Sequence, residues 1–253
     1  MNLIGLRTLL LKEVRRFLRV PGQTVLSPLI STALYFVVFG YSLGGRLREV
    51  DGVPYTVFIV PGLVFLGIAN NSFLNTSSSI FITKIQGTVV DLLVAPLKPG
   101  ELLVAFAAGG MVRGLLVGLL TWVVAALFTG FQLAHALPTA SFLLLVSYVF
   151  SMLGLLAALW AEKFEQINFF PTFVMLPLTF LGGVFYSVTT LAEPWRSISL
   201  FNPMVYMVEG LRYGMLGTSE LPLTFGGAIL SALAVATTAL TFVALRAGYK
   251  LKT

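Results

Sequence analysis

The hydrophobic pattern begins with a one-sided helix. Leu3, Leu6, Leu10, Val14 and Phe17 share one face of a 3.6-residue period, opposite Lys12, Arg15, Arg16 and Arg19. A basic helix of this kind lies in a membrane interface, so residues 1–20 predict an N-terminal amphipathic interfacial helix. It is too long for a signal-peptide n-region, and the apolar run behind it has no small-residue cleavage site, so that run reads as a retained span. From there the pattern is uniformly apolar. Six stretches, about 23–44, 54–80, 103–130, 137–160, 167–186 and 221–245, are each long enough to cross a bilayer as a helix of roughly 20 residues. Two segments interrupt the alternation of spans and short loops. Residues 81–100, with ITKIQGTVVDLLVAPLKPG from Ile82 to Gly100, predict a short surface helix stopped at Pro96. Residues 187–220 carry Tyr206, Met207, Val208 and Leu211, which are too apolar for a solvated loop. They predict a re-entrant outer helix pair turned at Asn202-Pro203, tolerated at membrane depth only where protein covers its backbone ends. The pattern as a whole predicts an all-α, polytopic membrane protein with six transmembrane helices in one domain spanning 1–253.

Composition sharpens this reading. Of 253 residues 57% are apolar and 10% charged, and the mean hydropathy is +0.95, so six spans leave no room for a soluble catalytic domain. There is no cysteine and one histidine, His135, which excludes disulfides and thiolate metal sites. The net charge of +6 in a soluble protein would raise nucleic acid as a partner; here the cations report topology instead. With the N-terminus inside, Arg7, Lys12, Arg15, Arg16, Arg19, Lys84, Lys98, Lys163, Arg246, Lys250 and Lys252 are cytoplasmic. Only Arg46, Arg48, Arg196 and Arg212 are outside, so eleven cations against four predict an N-in, C-in orientation. Arg113 is left within the third span. Either Gly109-Gly110 marks where that span enters the hydrocarbon and Arg113 snorkels to the inner headgroups, or Arg113 is an intramembrane ion-pair partner.

Three kinds of chemistry are then tested against the residues. A P-loop needs Gly-Lys-Ser or Gly-Lys-Thr, and no lysine here follows a glycine, so ATP drive must come from a partner. An ion-coupled carrier places an acid at mid-membrane. Every acid here lies at a loop or span end, with Glu13 in the amphipathic helix. An intramembrane hydrolase needs a serine near a histidine or paired buried aspartates, and neither is present, so no catalytic, metal-binding or cofactor-binding residue is expected. What remains is polar texture inside spans. Asn70, Asn71, Asn75, Ser78 and Ser79 interrupt the second span, with Asn71, Asn75 and Ser78 on one face; they either bond neighbouring helices or line a substrate path. Phe169, Phe173 and Phe180 lie near one face of the fifth span beside Pro171 and Pro177, facing either lipid or that path. Ala228, Ala232 and Ala236 form a small-residue packing stripe on the last span.

The order of these features carries a resemblance. VPGL at Val60–Leu63, DLLVAP at Asp91–Pro96, PLTFLGGVFYS at Pro177–Ser187 and FNPMVYMVEGLRYGMLG at Phe201–Gly217, behind a basic amphipathic start, resemble the type-2 permease family of ABC transporters over nearly the whole chain. The resemblance implies a subunit of the bacterial cytoplasmic (inner) membrane that pairs with a second copy of itself. It also implies two copies of a separate ABC ATPase, which bind ATP and Mg, and export from the cytoplasm or inner leaflet. On it, residues 81–100 become a coupling segment, with Gln86, Gly87, Asp91 and Pro96 as candidates for ATPase contact and Glu162–Gln166 near the same face. Asn71, Asn75, Phe169 and Phe173 become candidates for the substrate pathway, and Glu209 and Arg212 a local ion pair. The cargo stays open among amphiphilic drugs, lipids and polysaccharide-lipid conjugates. A non-transporting membrane scaffold and a secondary carrier are the alternative readings.

Overall fold

The computed structural model describes residues 2–43, 49–50 and 52–250. Of the charges used above, Arg46, Arg48, Asp51 and Lys252 lie outside the described residues. The fold is mostly helical. An amphipathic α1 (Leu3–Leu18) is capped by Asn2, whose side chain accepts from Gly5 N at 3.0 Å. It leads into α2, which is π-wound at Gly22–Leu26 and Phe36–Leu43 around an α-helical middle, Ser27–Tyr35. A two-stranded hairpin, β1 (Glu49–Val50) and β2 (Val53–Pro54), precedes α3 (Tyr55–Ile85). Then follow α4 (Val89–Val94), α5 (Pro99–Thr129) and α6 (Ala136–Trp160). The next helix, α7, joins Phe164–Phe169, a π-wound Phe170–Met175 and Leu176–Phe180. After it come α8 (Trp195–Leu200), α9 (Pro203–Leu216) and α10 (Leu223–Ala247).

Five of these helices, α2, α3, α5, α6 and α10, are long and apolar enough to cross a membrane. The fifth apolar stretch, expected to span over 167–186, is shorter than the sequence pattern suggests. Its helix covers residues 164–180, about 25 Å at 1.5 Å per residue, less than the ~30 Å hydrocarbon layer. It stops because the chain turns at Leu181–Gly183, with Gly183 at φ +70°, and Asn202 caps its end by donating to Leu178 O at 2.5 Å. Val184 then packs against Gly62, where a Cβ would sit 2.7 Å from the Val184 carbonyl.

Two helices form the centre: over their most apolar 18 residues 72% of α3 and of α6 is buried, against 17% for α2. Helix α5 approaches α3 through Gly110, Gly114 and Gly118, and a Cβ at Gly114 would stand 1.8 Å from Ser72 Oγ. This glycine row is the small-residue packing surface of the fold. The alanine row predicted for that role, Ala228, Ala232 and Ala236, faces outward. The outer helix pair turns at Asn202-Pro203 as expected. Helix α9 is buried among α3, α6 and α10. The Glu209–Arg212 pair is buried with it: Arg212 donates to Gly183 O at 2.8 Å and stacks 4.0 Å from the Phe58 ring centroid. Glu209 also accepts from Glu220 N at 2.8 Å. A buried charge pair is tolerated in an apolar core where further hydrogen bonds such as these accompany it.

Helix α1 is seated differently from its apolar stripe. Leu9, Glu13 and Phe17 form the buried face, and Leu3 is 62% exposed. The acid of the amphipathic helix thus sits at 0% exposure against Gly109 of α5. Gly109 and Gly110 are packing positions within one continuous helix.

Candidate transport groove and coupling face

A groove of about 330 Å³ opens between α2, α3, α5 and α7. Its polar wall comes from Gln23, Ser27 and Ser31 on α2, Asn70 and Asn71 on α3, and Arg113 on α5. Its apolar lining comes from Leu63, Leu66 and Leu74 of α3 and from Met175, Leu176 and Phe180 of α7. The α3 lining runs from Leu63 to Leu74, about 16 Å of helix. Pro171, which removes a backbone N–H from α7 and lies in its π-wound part, also lines it. Asn70 and Asn71 each return an amide N–H to their own helix, to Leu66 O at 3.2 Å and Gly67 O at 3.0 Å. A second cavity, about 420 Å³ between α3, α6, α7, α9 and α10, is walled by apolar residues such as Phe73, Leu153 and Met207. Of these two, the first offers both polar and apolar surface to one ligand.

The polar stripe of α3 divides in two. Asn71 lines the groove; Asn75 does not. Asn75 is fully buried and accepts two hydrogen bonds from Arg16 Nη2, at its carbonyl (2.7 Å) and its side-chain oxygen (3.0 Å). Arg16 also donates to Ser78 Oγ at 3.2 Å and pairs with Glu13 at 3.2 Å, while Ser79 donates to Glu13 Oε1 at 2.8 Å. Residues 75–79 are therefore the seat of α1. Phe169 and Phe173 stack on each other at 5.2 Å and are 47% and 66% exposed on the outer side of α7. They do not meet Asn71. Phe180, their expected companion, does line the groove. The α2 contribution was overlooked in sequence reading although its signal is present: Gln23, Ser27, Ser31 and Tyr35 recur every fourth residue.

Arg113 lies fourteen residues into α5, about 21 Å along a helix about 46 Å long. Gly109, one turn before it, is the position on which Glu13 of α1 packs. Among the described residues Arg113 has no ion-pair partner, and its Nε is shut off from solvent without a hydrogen bond.

At the opposite end of the groove's helices, Gln86, Gly87, Asp91 and Pro96 are all exposed. They do not form one helix as expected. Gln86 ends α3, Gly87 makes the turn at φ +70°, a conformation glycine adopts without steric cost, and only residues 89–94 are helical. Val89 anchors this short helix in the packed cluster beneath it, with Phe81, Leu103 and Ile167. Ile85, Val90, Val94 and Phe164 stay at least 56% exposed beside the polar candidates. Phe164 packs its ring 6.1 Å from Phe81, so the 162–166 segment does adjoin this face. Lys84 donates to the carbonyls of Ala158, Leu159 and Ala161, which close α6. Beside them Lys250 bonds Glu162 at 2.5 Å. That bond holds the Glu162 carboxyl below the usual carboxylate range and raises Lys250.

A multi-pass helical bundle with a lateral amphiphilic groove and an exposed turn-helix at one end is a membrane transport subunit in form. The chain belongs to the ABC-2 type transporter family, which it matches over residues 5–216. It is 41% identical over 88% of both chains to the "Inner membrane transport permease YadH" of Escherichia coli K12. It is 27% identical to "Nodulation protein J" of Rhizobium leguminosarum bv. viciae, over 77% of this chain and 75% of that one. The protein of the same name from Rhizobium meliloti is 26% identical over 85% and 81%. The chain is a multi-pass protein of the inner membrane.

Proposed function

We propose that this chain is the permease subunit of an ATP-driven exporter that moves an amphiphilic, lipid-like or polysaccharide-linked substrate from the cytoplasm or inner leaflet. On this reading two copies pair with two copies of a separate ABC ATPase, which binds ATP and Mg. The observation that carries it is the groove: four helices line it with both polar and apolar side chains, which suits a molecule with a headgroup and a tail. Six crossings and an N-in, C-in orientation are part of the proposal, with α7 as the short crossing. The co-location of α1, Lys84, Lys98, Lys163 and Lys250 at one end of the bundle supports that end as cytoplasmic. Gln86, Gly87, Asp91 and Pro96, flanked by exposed Ile85, Val90 and Val94, are the proposed ATPase contact. Phe169 and Phe173 are proposed to face lipid or the second copy.

Co-expression with the ATPase, followed by reconstitution, tests this. Asp91→Lys and Gln86→Trp alter exposed positions with ordinary backbone angles, so the subunit should still insert and keep its melting temperature. Stimulation of ATP hydrolysis by the permease should fall at least fivefold. A scaffold or an ion-driven carrier would give wild-type hydrolysis in both variants and a normal complex, and the proposal would fail.

A further inference from the structure

Arg113 is the one charged residue among those lining the groove. Its positive charge has no counter-charge in the described fold: the ion pairs there are Glu13–Arg16, Glu209–Arg212 and Glu162–Lys250. Arg16 does not need an external partner, since Glu13, Asn75 and Ser78 bond its two terminal nitrogens. Arg113 differs there: its Nε lacks an acceptor, as those of Arg16 and Arg212 do, but its terminal nitrogens also have no partner among the described residues. A guanidinium cannot shed its proton to escape burial. Holding it charged in a membrane costs several kcal/mol unless an anion meets it. The groove around it adds neutral donors and acceptors, Gln23, Ser27, Asn70 and Asn71, and apolar side chains of α3 and α7.

We infer that the groove binds a monoanionic or dianionic headgroup, phosphate or carboxylate in type, paired with Arg113, and that the attached tail lies along Met175, Leu176 and Phe180. The planar guanidinium offers two parallel N–H donors to such a group. This rests on the groove being the substrate site proposed above and adds the charge of what enters it. Substrates of the same length with neutral or cationic heads leave Arg113 uncompensated and are disfavoured.

The test uses the full chain in phosphatidylcholine nanodiscs and radiolabelled dodecyl phosphate, with dodecyl maltoside, dodecyltrimethylammonium and inorganic phosphate as competitors. Wild-type protein should bind dodecyl phosphate at least tenfold more tightly than the neutral or cationic amphiphile. Arg113→Gln should abolish that preference while melting no lower than wild type, because it removes an unpaired cation. Arg113→Lys should retain part of the preference. Ser31→Trp, at an exposed position on the groove wall, should block every amphiphile. Displacement by millimolar inorganic phosphate alone would support the anion site and assign it to a free anion; displacement only by dodecyl phosphate supports it and assigns an amphiphile's headgroup. Equal binding of all three amphiphiles that Ser31→Trp still blocks would overturn the anion inference and leave the groove standing. Binding untouched by Ser31→Trp would overturn the groove as the substrate site, and this inference with it.

Discussion

Glu13 shows how a residue's neighbours decide whether a buried charge is tolerated. At about 100° per residue it lies beside Leu6, Leu9 and Phe17 and away from Lys12, Arg15 and Arg19. In the structure it is fully buried, where α1 packs on α5 and bonds α3 through its side chains. The carboxylate is tolerated there because Arg16 from its own helix and Ser79 from α3 fill its oxygens. Removing one partner from such a pair costs about 3 kcal/mol or more, tempered here because the Arg16 side chain is 28% exposed. Glu13→Leu is therefore expected to lower the melting temperature clearly in detergent or nanodiscs. Asn75→Leu should do the same, by about 1.5–3 kcal/mol for the lost side-chain bond to a charged donor. Asn71→Leu, whose amide bonds only its own backbone, should melt like wild type. If Asn75→Leu were as stable as Asn71→Leu, α1 would not be seated on α3 through Arg16. The two asparagines are indistinguishable in the sequence, four residues apart on one face; only the incoming helix separates their roles.

At the scale of elements, the C-terminal ends of α6 and α10 are joined by one exposed ion pair, and its pH dependence has a definite sign. Glu162 has its carboxyl lowered by the Lys250 hydrogen bond, so its contribution is present above the ordinary glutamate value, about 4.3, and is lost as pH falls through the lowered one. Lys250 is raised by Glu162, so its contribution is complete below the ordinary lysine value, about 10.4, and is lost only above that. The joint is then constant from about pH 5 to pH 10. Hydrogen exchange at the last turn of α10 should accelerate below about pH 4, beyond the intrinsic pH effect, and Glu162→Gln should show that faster exchange already at pH 7. A wild-type rate in Glu162→Gln would show that the pair holds nothing. Element boundaries were legible to different degrees for physical reasons. Asn202-Pro203 marks the start of α9 because a capping amide and a proline act locally. The end of α7 is set by Asn202 reaching back to Leu178 and by Val184 packing on Gly62, contacts between distant residues that no local pattern encodes. The same holds for the turn at Gly87, where the DLLVAP motif pointed to the right face while the helix starts two residues beyond the glycine.

For the molecule as a whole, the hydropathy blocks sufficed for the class of fold, since a bilayer demands helices of a minimum length. The candidate site was legible only in part: Asn71 was found, while Arg113 entered as an ambiguity and the α2 wall not at all, because a groove is a property of four helices and not of one. Orientation is the remaining global quantity, and it can be tested because the chain has no cysteine. Thr190 and Gln86 are both exposed and lie at opposite ends of the bundle, one on the turn before α8 and one at the end of α3. The positive charges at the Gln86 end, Lys84, Lys98, Lys163 and Lys250, would be held in the cytoplasm by the inside-positive bias of insertion. In intact cells a membrane-impermeant maleimide should therefore label Thr190→Cys and spare Gln86→Cys, which should react after permeabilisation. The reverse result would put the cationic end outside, and with it the proposed ATPase contact on the side of the membrane where no ATP is supplied.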